Sequence, residues 1–346
     1  MTEIPYGAWS LALSSDYAQR ARIQVWRGMG VLTGTLVFYA VPYAAKALGF
    51  TQSTALDLQT LSLTAVVVLL LVPVLNAWCL LAVPGRGSAA PRERRAASGS
   101  LRAFARSIAG NAPLLRLLVA YVPVSICSGM AGGVVYLFAD AYLRQGEHLP
   151  AVFLITVPLT LVGLPFWGWL CSRYERHRIW AMSLLFGAVP CIALGFVGPG
   201  PHALAGLMVF YPLTMFALVA VSVAVPAMTG DIVDYGRLRF RHDRAGVYTA
   251  LFAFLNKSLM GVSAALGLAI AGWFGFDATA TTHSAAEVFG LKLVAVWIPA
   301  LSLIAAAAVI WNFPLHRQRL RVIERALAAR AAGDARPASR PPTDAA

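Results

Sequence analysis

The residue of this chain that most needs a chemical explanation is a lysine inside an apolar segment. Lys257 lies eleven residues after Gly246, and at 1.5 Å per helical residue it is roughly 17 Å into that segment. A charged lysine near the middle of a bilayer costs about 2.5–3.5 kcal/mol even on the most lenient insertion scale. Its neighbour Asn256 adds a second polar group. The pair predicts contact with a solute or a coupling carboxylate in a wet cavity. The alternative is a structural lysine that is paired inside a helix bundle.

The helical face of Lys257 consists of small residues. Such a face lets a neighbouring helix or a cavity come close to the backbone. The small residues at helical spacing around the lysine are Gly246, Ala250, Ala253, Gly261 and Ala264.

A cluster of charged and aromatic residues precedes this segment. Asp231, Asp234, Tyr235 and Arg244 lie between two apolar segments, where we expect the cytoplasmic mouth of a bundle. Opposite charges at such a mouth predict an inside gate or a conformational latch. The alternative is solvated loop charge, in which an exposed pair contributes about 0–1 kcal/mol.

Three residues near the start of the chain complete the candidate site. Arg27 lies a few residues inside an apolar segment, from which it can also snorkel to the interface. Glu3 and Tyr6 flank Pro5 in a short apolar stretch that is too short to cross a bilayer. We assign these three residues, with Lys257 and Asn256, to a substrate and coupling region; for Glu3 the alternative is simple hydration.

The composition predicts an all-α polytopic membrane protein. Of the 346 residues, 59% are hydrophobic and 12% are charged, whereas a soluble domain carries about 25% charged residues. The apolar residues form blocks long enough to cross about 30 Å of hydrocarbon as helices. The predicted spans cover about 23–47, 58–83, 114–139, 150–171, 179–198, 204–228, 246–272 and 288–312.

Loop charges predict the orientation of these spans. Arginine-rich loops at 84–116, 172–178 and 229–244 alternate with loops at 48–57, 199–203 and 273–287 that contain no lysine or arginine. Because basic loops face the cytoplasm, we expect a multi-pass protein of the plasma (inner) membrane with a cytoplasmic C-terminus. Membrane topology thus accounts for the net charge of +13, and we expect no nucleic-acid partner.

No local motif predicts catalysis or metal binding. The sequence contains no GxSxG, phosphate-binding loop or HExxH pattern, each of which would place a nucleophile, a phosphate or a metal. The four cysteines lie in or at the ends of apolar segments and are typical of small buried hydrophobic residues. We therefore expect no enzyme activity, no cofactor and no metal.

In the C-terminal region one helical face carries Leu320, Ile323 and Leu327 among arginines.

Four separated stretches resemble one family of carriers. The stretch DIVDYGRLRFRHDRAGVYTALFAFLNK is similar to the helix 10–11 signature of the glycoside–pentoside–hexuronide:cation symporters, the melibiose-permease type of the major facilitator superfamily. The residues that fit are Asp231, Asp234, Tyr235, Gly236, Arg244, Gly246 and Lys257. The opening EIPYGAWSLALSSDYAQRARIQVWR resembles the end of helix 4 and the following loop through Pro5, Tyr6, Asp16, Tyr17, Arg20 and Arg27. NAPLL from Asn111 resembles the start of helix 7, and PFWGWLCSRYERHR from Pro165 resembles loop 8–9.

The resemblance implies a twelve-helix carrier that moves a sugar, glycoside or related solute with Na⁺ or H⁺ by alternating access. In such carriers the helix 11 lysine and the polar residues of helices 4 and 5 belong to the coupling and binding region. This sequence departs from the family pattern at Arg237, where an acid is frequent. It also begins inside the counterpart of helix 4, whereas the family's first three helices carry carboxylates for cation and sugar binding.

We therefore expect a major-facilitator-type bundle that lacks about the first three helices and has eight full spans plus a partial one. Residues 1–83 would be the remainder of the N-terminal bundle, corresponding to helices 4–6. A central cytoplasmic loop (84–113), a C-terminal six-helix bundle (114–312) and a cytoplasmic tail (313–346) would follow.

The leading hypothesis is a monomeric secondary transporter whose partners are a small-molecule solute, a coupling cation and the lipid bilayer. One alternative is a truncated, transport-incompetent carrier or membrane scaffold. Another is a carrier of the same fold that moves lipid-like or drug-like solutes.

Overall fold

The computed structural model describes residues 17–52, 54, 57–82, 108–240, 245–278, 280 and 282–334, and these form helices and turns without a strand. The helices are α1 (Tyr17–Ala47), α2 (Leu58–Ala82), α3 (Ala112–Leu137), α4 (Leu149–Arg173), α5 (Arg176–Gly195), α6 (Ala203–Leu218), α7 (Val221–Phe240), α8 (Ala245–Trp273), α9 (Ala285–Lys292), α10 (Ile298–Trp311) and α11 (Arg317–Asp334). A π-helical segment extends α3 over Phe138–Tyr142, and another joins α9 to α10 over Leu293–Trp297. A 3₁₀ turn, Gly146–His148, precedes α4.

Polar side chains define several helix starts. The Asp57 carboxylate accepts the backbone N–H of Thr60 at 2.8 Å and so caps α2; this hydrogen bond holds the pKa of Asp57 below its usual range. Ser284 and Glu287 form a reciprocal capping box at the start of α9. These caps satisfy backbone donors that a helix leaves without an internal partner.

Seven helical stretches in the described part of the chain are long and apolar enough to cross a membrane: Leu58–Ala82, Ala112–Tyr142, Gly146–Arg173, Arg176–Gly195, Ala203–Arg239, Val247–Trp273 and Ala285–Trp311. They coincide with seven of the eight predicted spans, and the predicted all-α polytopic fold is confirmed. The remaining predicted span, 23–47, lies within helix α1 but is not among the seven, so it stays a prediction.

The predicted loop over 229–244 is wrong for its first part, because α7 continues to Phe240. Together α6 and α7 form a 37-residue stretch of about 55 Å, which exceeds the hydrocarbon thickness of about 30 Å. Ile232 and Val233 are buried in the core at 0% and 7% exposure. Packing of these two residues therefore keeps the charged end of α7 helical, whereas hydropathy alone ends the apolar run earlier.

The bundle is built around α3. This helix packs against α8 and α10. From α10 the packing continues through α5, α6 and α4 to α1, and each of these helices contacts the next one in that order. The amphipathic helix α11 packs on α7. Its apolar face carries Leu320, Ile323 and Leu327, all of which contact the core. The predicted apolar face of the C-terminal region is thus confirmed, and it packs against the core of the bundle.

Helices α3 and α8 approach each other closely at a glycine. A Cβ atom added at Gly129 would lie 2.5 Å from the carbonyl oxygen of Met260. At Gly132, three residues along the same helix, an added Cβ would meet no atom within 4 Å. The absence of a side chain at Gly129 therefore sets the distance between the two backbones.

We predict that Gly129→Ala lowers the free energy of unfolding by about 1–3 kcal/mol, because the added methyl group overpacks a backbone contact. The matched variant Gly132→Ala adds the same methyl group on the open side of α3 and gains helix propensity of up to about 1 kcal/mol. Thermal unfolding of both variants in the same detergent measures the difference. Equal stability of the two variants would contradict the close approach.

Candidate functional site

Arginine-bearing helix ends meet at one end of the C-terminal bundle. We call this region the basic end and define it by Arg116, Arg173, Arg176, Arg237 and Arg317. The starts of α3, α5, α8 and α11 contact the ends of α4, α7 and α10 here. Arg116 of α3, for example, donates to the carbonyl oxygen of Asn312, which follows α10, at 2.6 Å. The arginine-rich loops that alternate along the sequence are thus neighbours in space.

Asp231, in the charged C-terminal half of helix α7, forms an ion pair with Arg176 at the start of α5. Its two carboxylate oxygens accept from Nη1 of Arg176 at 2.7 and 2.8 Å. The Asp231 and Arg176 side chains are 18% and 37% exposed, so the pair is partly screened from water. Asp231 is a predicted gate residue, whereas Arg176 is one arginine of the basic loop at 172–178; the RYERHR stretch that contains Arg176 is the available sequence signal. The other suggested partner, Arg244, lies outside the described residues.

The two other predicted gate residues form pairs within α7. Arg237 donates to Asp234 at 3.1 Å, and both side chains are exposed. Arg239 donates to the Tyr235 hydroxyl at 2.6 Å, with its guanidinium 5.9 Å from the ring centre. Pairs at this spacing support a helix weakly. Asp234 and Tyr235 therefore stabilise the extended end of α7, whereas Asp231 joins α7 to a second helix.

A buried polar contact joins α3, α7 and α8. Asn111 caps α3 through its Oδ1, which accepts the Leu114 N–H at 3.2 Å, while its Nδ2 donates to the Tyr248 hydroxyl at 3.3 Å. Asn111 and Tyr248 are 0% and 1% exposed. A Cβ added at Gly236 would lie 3.3 Å from the same hydroxyl. Asn111 and Gly236 belong to the family resemblance, but no local signal predicts that both lie next to the Tyr248 hydroxyl.

Arg317, the first residue of α11, holds the C-terminal helix on the basic end. Its guanidinium donates to the carbonyl oxygen of Arg173 at 2.8 Å and to that of Ser172. Its backbone N–H lies 3.3 Å from both carboxylate oxygens of Glu175. Carbonyls at a helix C-terminus have no internal partner and attract cations. Arg317 therefore caps α4 and positions α11 at the same time.

Lys257 lies near the middle of α8 on its exposed side. Ala250, Ala253 and Gly261 of the predicted small face are also exposed, and a Cβ added at Gly261 would meet no atom within 4 Å. Ala264 is the exception, since it packs against Gly133 of α3. This face of α8 is thus open among the described residues.

Asn256, which precedes Lys257, contacts α3. Its Oδ1 lies 3.2 Å from the Ser125 hydroxyl, whose single proton has a second acceptor in the Tyr121 carbonyl oxygen at 3.0 Å. Ser125 is 1% exposed. Successive residues of a helix are rotated by about 100°, so anchoring Asn256 on α3 fixes the direction of its neighbour. Ser125 is not predicted from the sequence, because an isolated serine in an apolar segment carries no local signal.

Of the three predicted site residues near the start of the chain, the structure describes only the backbone of one. Glu3 and Tyr6 lie outside the described residues. The backbone of Arg27 belongs to α1, but its side chain is not among the described ones. Their assignment to the substrate and coupling region stays a prediction.

The geometry thus provides a charged, partly buried helix end and a lysine on an open helical face, and comparison with known proteins identifies the family. A family model described as MFS/sugar transport protein matches residues 1–317. The comparison with curated proteins found no match. Since the family model covers far more than half of the chain, this polytopic helical membrane protein belongs to the MFS/sugar transport protein family.

Proposed function

We propose that the protein is a secondary active transporter of the melibiose-permease type, which moves a sugar, glycoside or related solute together with Na⁺ or H⁺ by alternating access. The observation that carries this proposal is the position of Lys257 on the open, small-residue face of α8. The family supplies the solute class, and the lysine supplies the link to a coupling ion. By the positive-inside rule we place the basic end in the cytoplasm.

A lysine in this position favours a water-filled cavity over a lipid-facing surface. Hydrocarbon around a mid-helix ammonium group costs about 2.5–3.5 kcal/mol or more, and Lys257 lies far from both ends of α8. Intramembrane ionisable residues line substrate or ion pathways for this reason. The small side chains of Ala250, Ala253 and Gly261 leave room for a solute beside the ammonium group.

Asn256 and Ser125 support this role by positioning the lysine. Their hydrogen bond connects α8 to α3, and the close approach at Gly129 brings the two helices together one turn further along α3. Rotation of α8 about its own axis would break this contact. We infer that α8 presents Lys257 in one fixed direction.

Asp231 and Arg176 have a positioning role at the basic end. Both lie in the predicted C-terminal bundle, so their ion pair holds α7 over the start of α5. Alternating access moves one bundle against the other around a central site, and it requires each bundle to keep its shape. The proposed gate therefore acts by fixing the end of α7.

We predict that Lys257→Ala lowers cation-dependent uptake by about 5–150-fold, the usual range of a coupling free energy between two sites, while the protein still inserts into the membrane. Uptake of labelled sugars and glycosides into proteoliposomes, with and without Na⁺ or a pH gradient, measures the effect. Lys257→Arg should retain part of the activity, since it keeps the charge.

The matched control is Lys292→Ala, which removes the last residue of α9, a lysine whose ammonium lies 5.2 Å from the Tyr142 ring centre. Unchanged cation-dependent uptake in Lys257→Ala would exclude the proposed role of this lysine. Transport of amphiphiles instead of sugars by the unmodified chain would favour a carrier of lipid-like or drug-like solutes. A chain that moves neither class would favour the scaffold alternative.

We predict that Asp231→Asn lowers the free energy of unfolding by about 1–3 kcal/mol, because a charge-assisted pair whose carboxylate is 18% exposed becomes a weaker neutral contact. Asp234→Asn is the matched control and should change stability by less than about 1 kcal/mol, since its pair is exposed. Thermal unfolding of both variants checks this difference. The double variant Asp231→Arg with Arg176→Asp should recover part of the loss, and failure to recover any would indicate that the pair itself is not the stabilising contact.

A further inference from the structure

Three side chains at the basic end bring metal-binding atoms together. Glu175, which immediately precedes α5, His177 in its first turn and His316 just before α11 each offer one ligand atom, and these atoms all lie within 4.8 Å of one another. The imidazole rings of His177 and His316 have their centres 5.2 Å apart. No other group of three or more such residues occurs in the described part of the chain. The cluster lies outside both parts of the candidate transport site.

His177 is buried in a way that needs an explanation. It is 2% exposed, and its Nε2 atom is shielded from solvent without a hydrogen-bond partner among the described residues. Its Nδ1 atom lies 3.9 Å from a carboxylate oxygen of Glu175, which is too far for a hydrogen bond. Buried polar atoms in native proteins almost always have partners, and an ion is one of the partners that satisfies them.

We propose that Glu175, His177 and His316 bind a divalent transition-metal ion of the Zn²⁺ class at the basic end. Two imidazoles and one carboxylate are a ligand set that Zn²⁺ uses, with a fourth position open to water. Tetrahedral ligands at about 2.0–2.1 Å from Zn²⁺ lie roughly 3.4 Å from each other. The three atoms must therefore converge by about 1.4 Å at most, which the exposed side chain of His316 and the partly exposed side chain of Glu175 can provide by rotation.

The surroundings select against hard cations. Arg176 is next to the cluster but is neutralised by Asp231, and the guanidinium of Arg317 is bound to backbone carbonyls. A single carboxylate in this basic region is too little for Ca²⁺ or Mg²⁺, which take mainly oxygen ligands. Imidazole nitrogen suits Zn²⁺, Co²⁺ and Ni²⁺.

The site joins two parts of the chain that are far apart in sequence. His177 belongs to the first turn of α5, whereas His316 immediately precedes α11. A bound ion would thus hold the C-terminal helix on the start of α5, beside the Arg317–Glu175 contact. The sequence pattern predicts no metal site, because closely spaced ligands are the recognisable signal and five helices separate His316 from the helix of His177.

The test uses the full chain, purified in detergent with an affinity tag that contains no histidine, and Zn²⁺ alone as the probe. Competition with a chromophoric chelator measures stoichiometry and affinity. We expect one Zn²⁺ per chain and a rise in the unfolding temperature on Zn²⁺ addition, since an ion that binds only the folded state stabilises it.

Two variants remove ligands without disturbing the core. His316→Ala changes an exposed side chain, and Glu175→Gln keeps an oxygen that can accept the Arg317 N–H; each should weaken Zn²⁺ binding by more than about tenfold, the least that outer-shell changes cost in known sites. His283→Ala is the matched control, because His283 lies 3.3 Å from Glu287 but forms a pair and no triad; its affinity should equal that of the unmodified chain. Equal Zn²⁺ affinity in the unmodified chain and in His316→Ala would overturn the proposal. Zn²⁺ binding that only His283→Ala abolishes would do the same.

Discussion

The cost of a charge in hydrocarbon is the constraint on which the rest of this structure depends. Because ionised side chains are expensive in the membrane, almost all of them lie in the segments between spans or at helix ends. At the basic end these side chains form contacts between helices. Asp231 pairs with Arg176, and Arg317 contacts Glu175 and the end of α4. The same constraint makes the position of Lys257 informative. A single lysine in the middle of an apolar helix indicates a place where water, protein or solute replaces lipid.

Packing around α3 determines the direction in which this charge points. The missing side chain at Gly129 allows α8 to approach, and the approach brings Asn256 within hydrogen-bond distance of Ser125. That bond in turn orients the lysine that follows Asn256. Local sequence determines each helix, but the direction of the charge follows from a contact between two helices.

The sequence predicted what depends on local composition and missed what depends on partners. Apolar block length was sufficient for seven of the eight predicted spans, because an α-helix satisfies its own backbone hydrogen bonds in lipid. The spacing of three to four residues between Leu320, Ile323 and Leu327 was sufficient to predict the apolar face of α11, on which Ile323 is buried. The helical end of α7 was missed, since Ile232 and Val233 stabilise it only through the core. Arg176 and Ser125 were missed for a related reason: their roles come from residues on other helices.

The basic end connects the C-terminal helix to α7 through adjacent residues of one short segment. Glu175 accepts from the backbone of Arg317, whereas Arg176 donates to Asp231. Any movement of α7 relative to α5 must strain or break the Asp231 contact, and the neighbouring Glu175 transmits a shift of this segment to α11. The proposed metal ligands His177 and His316 lie on the same path. The segment from Arg173 to His177 is therefore the point at which the position of α7, the docking of α11 and an added ion would depend on each other.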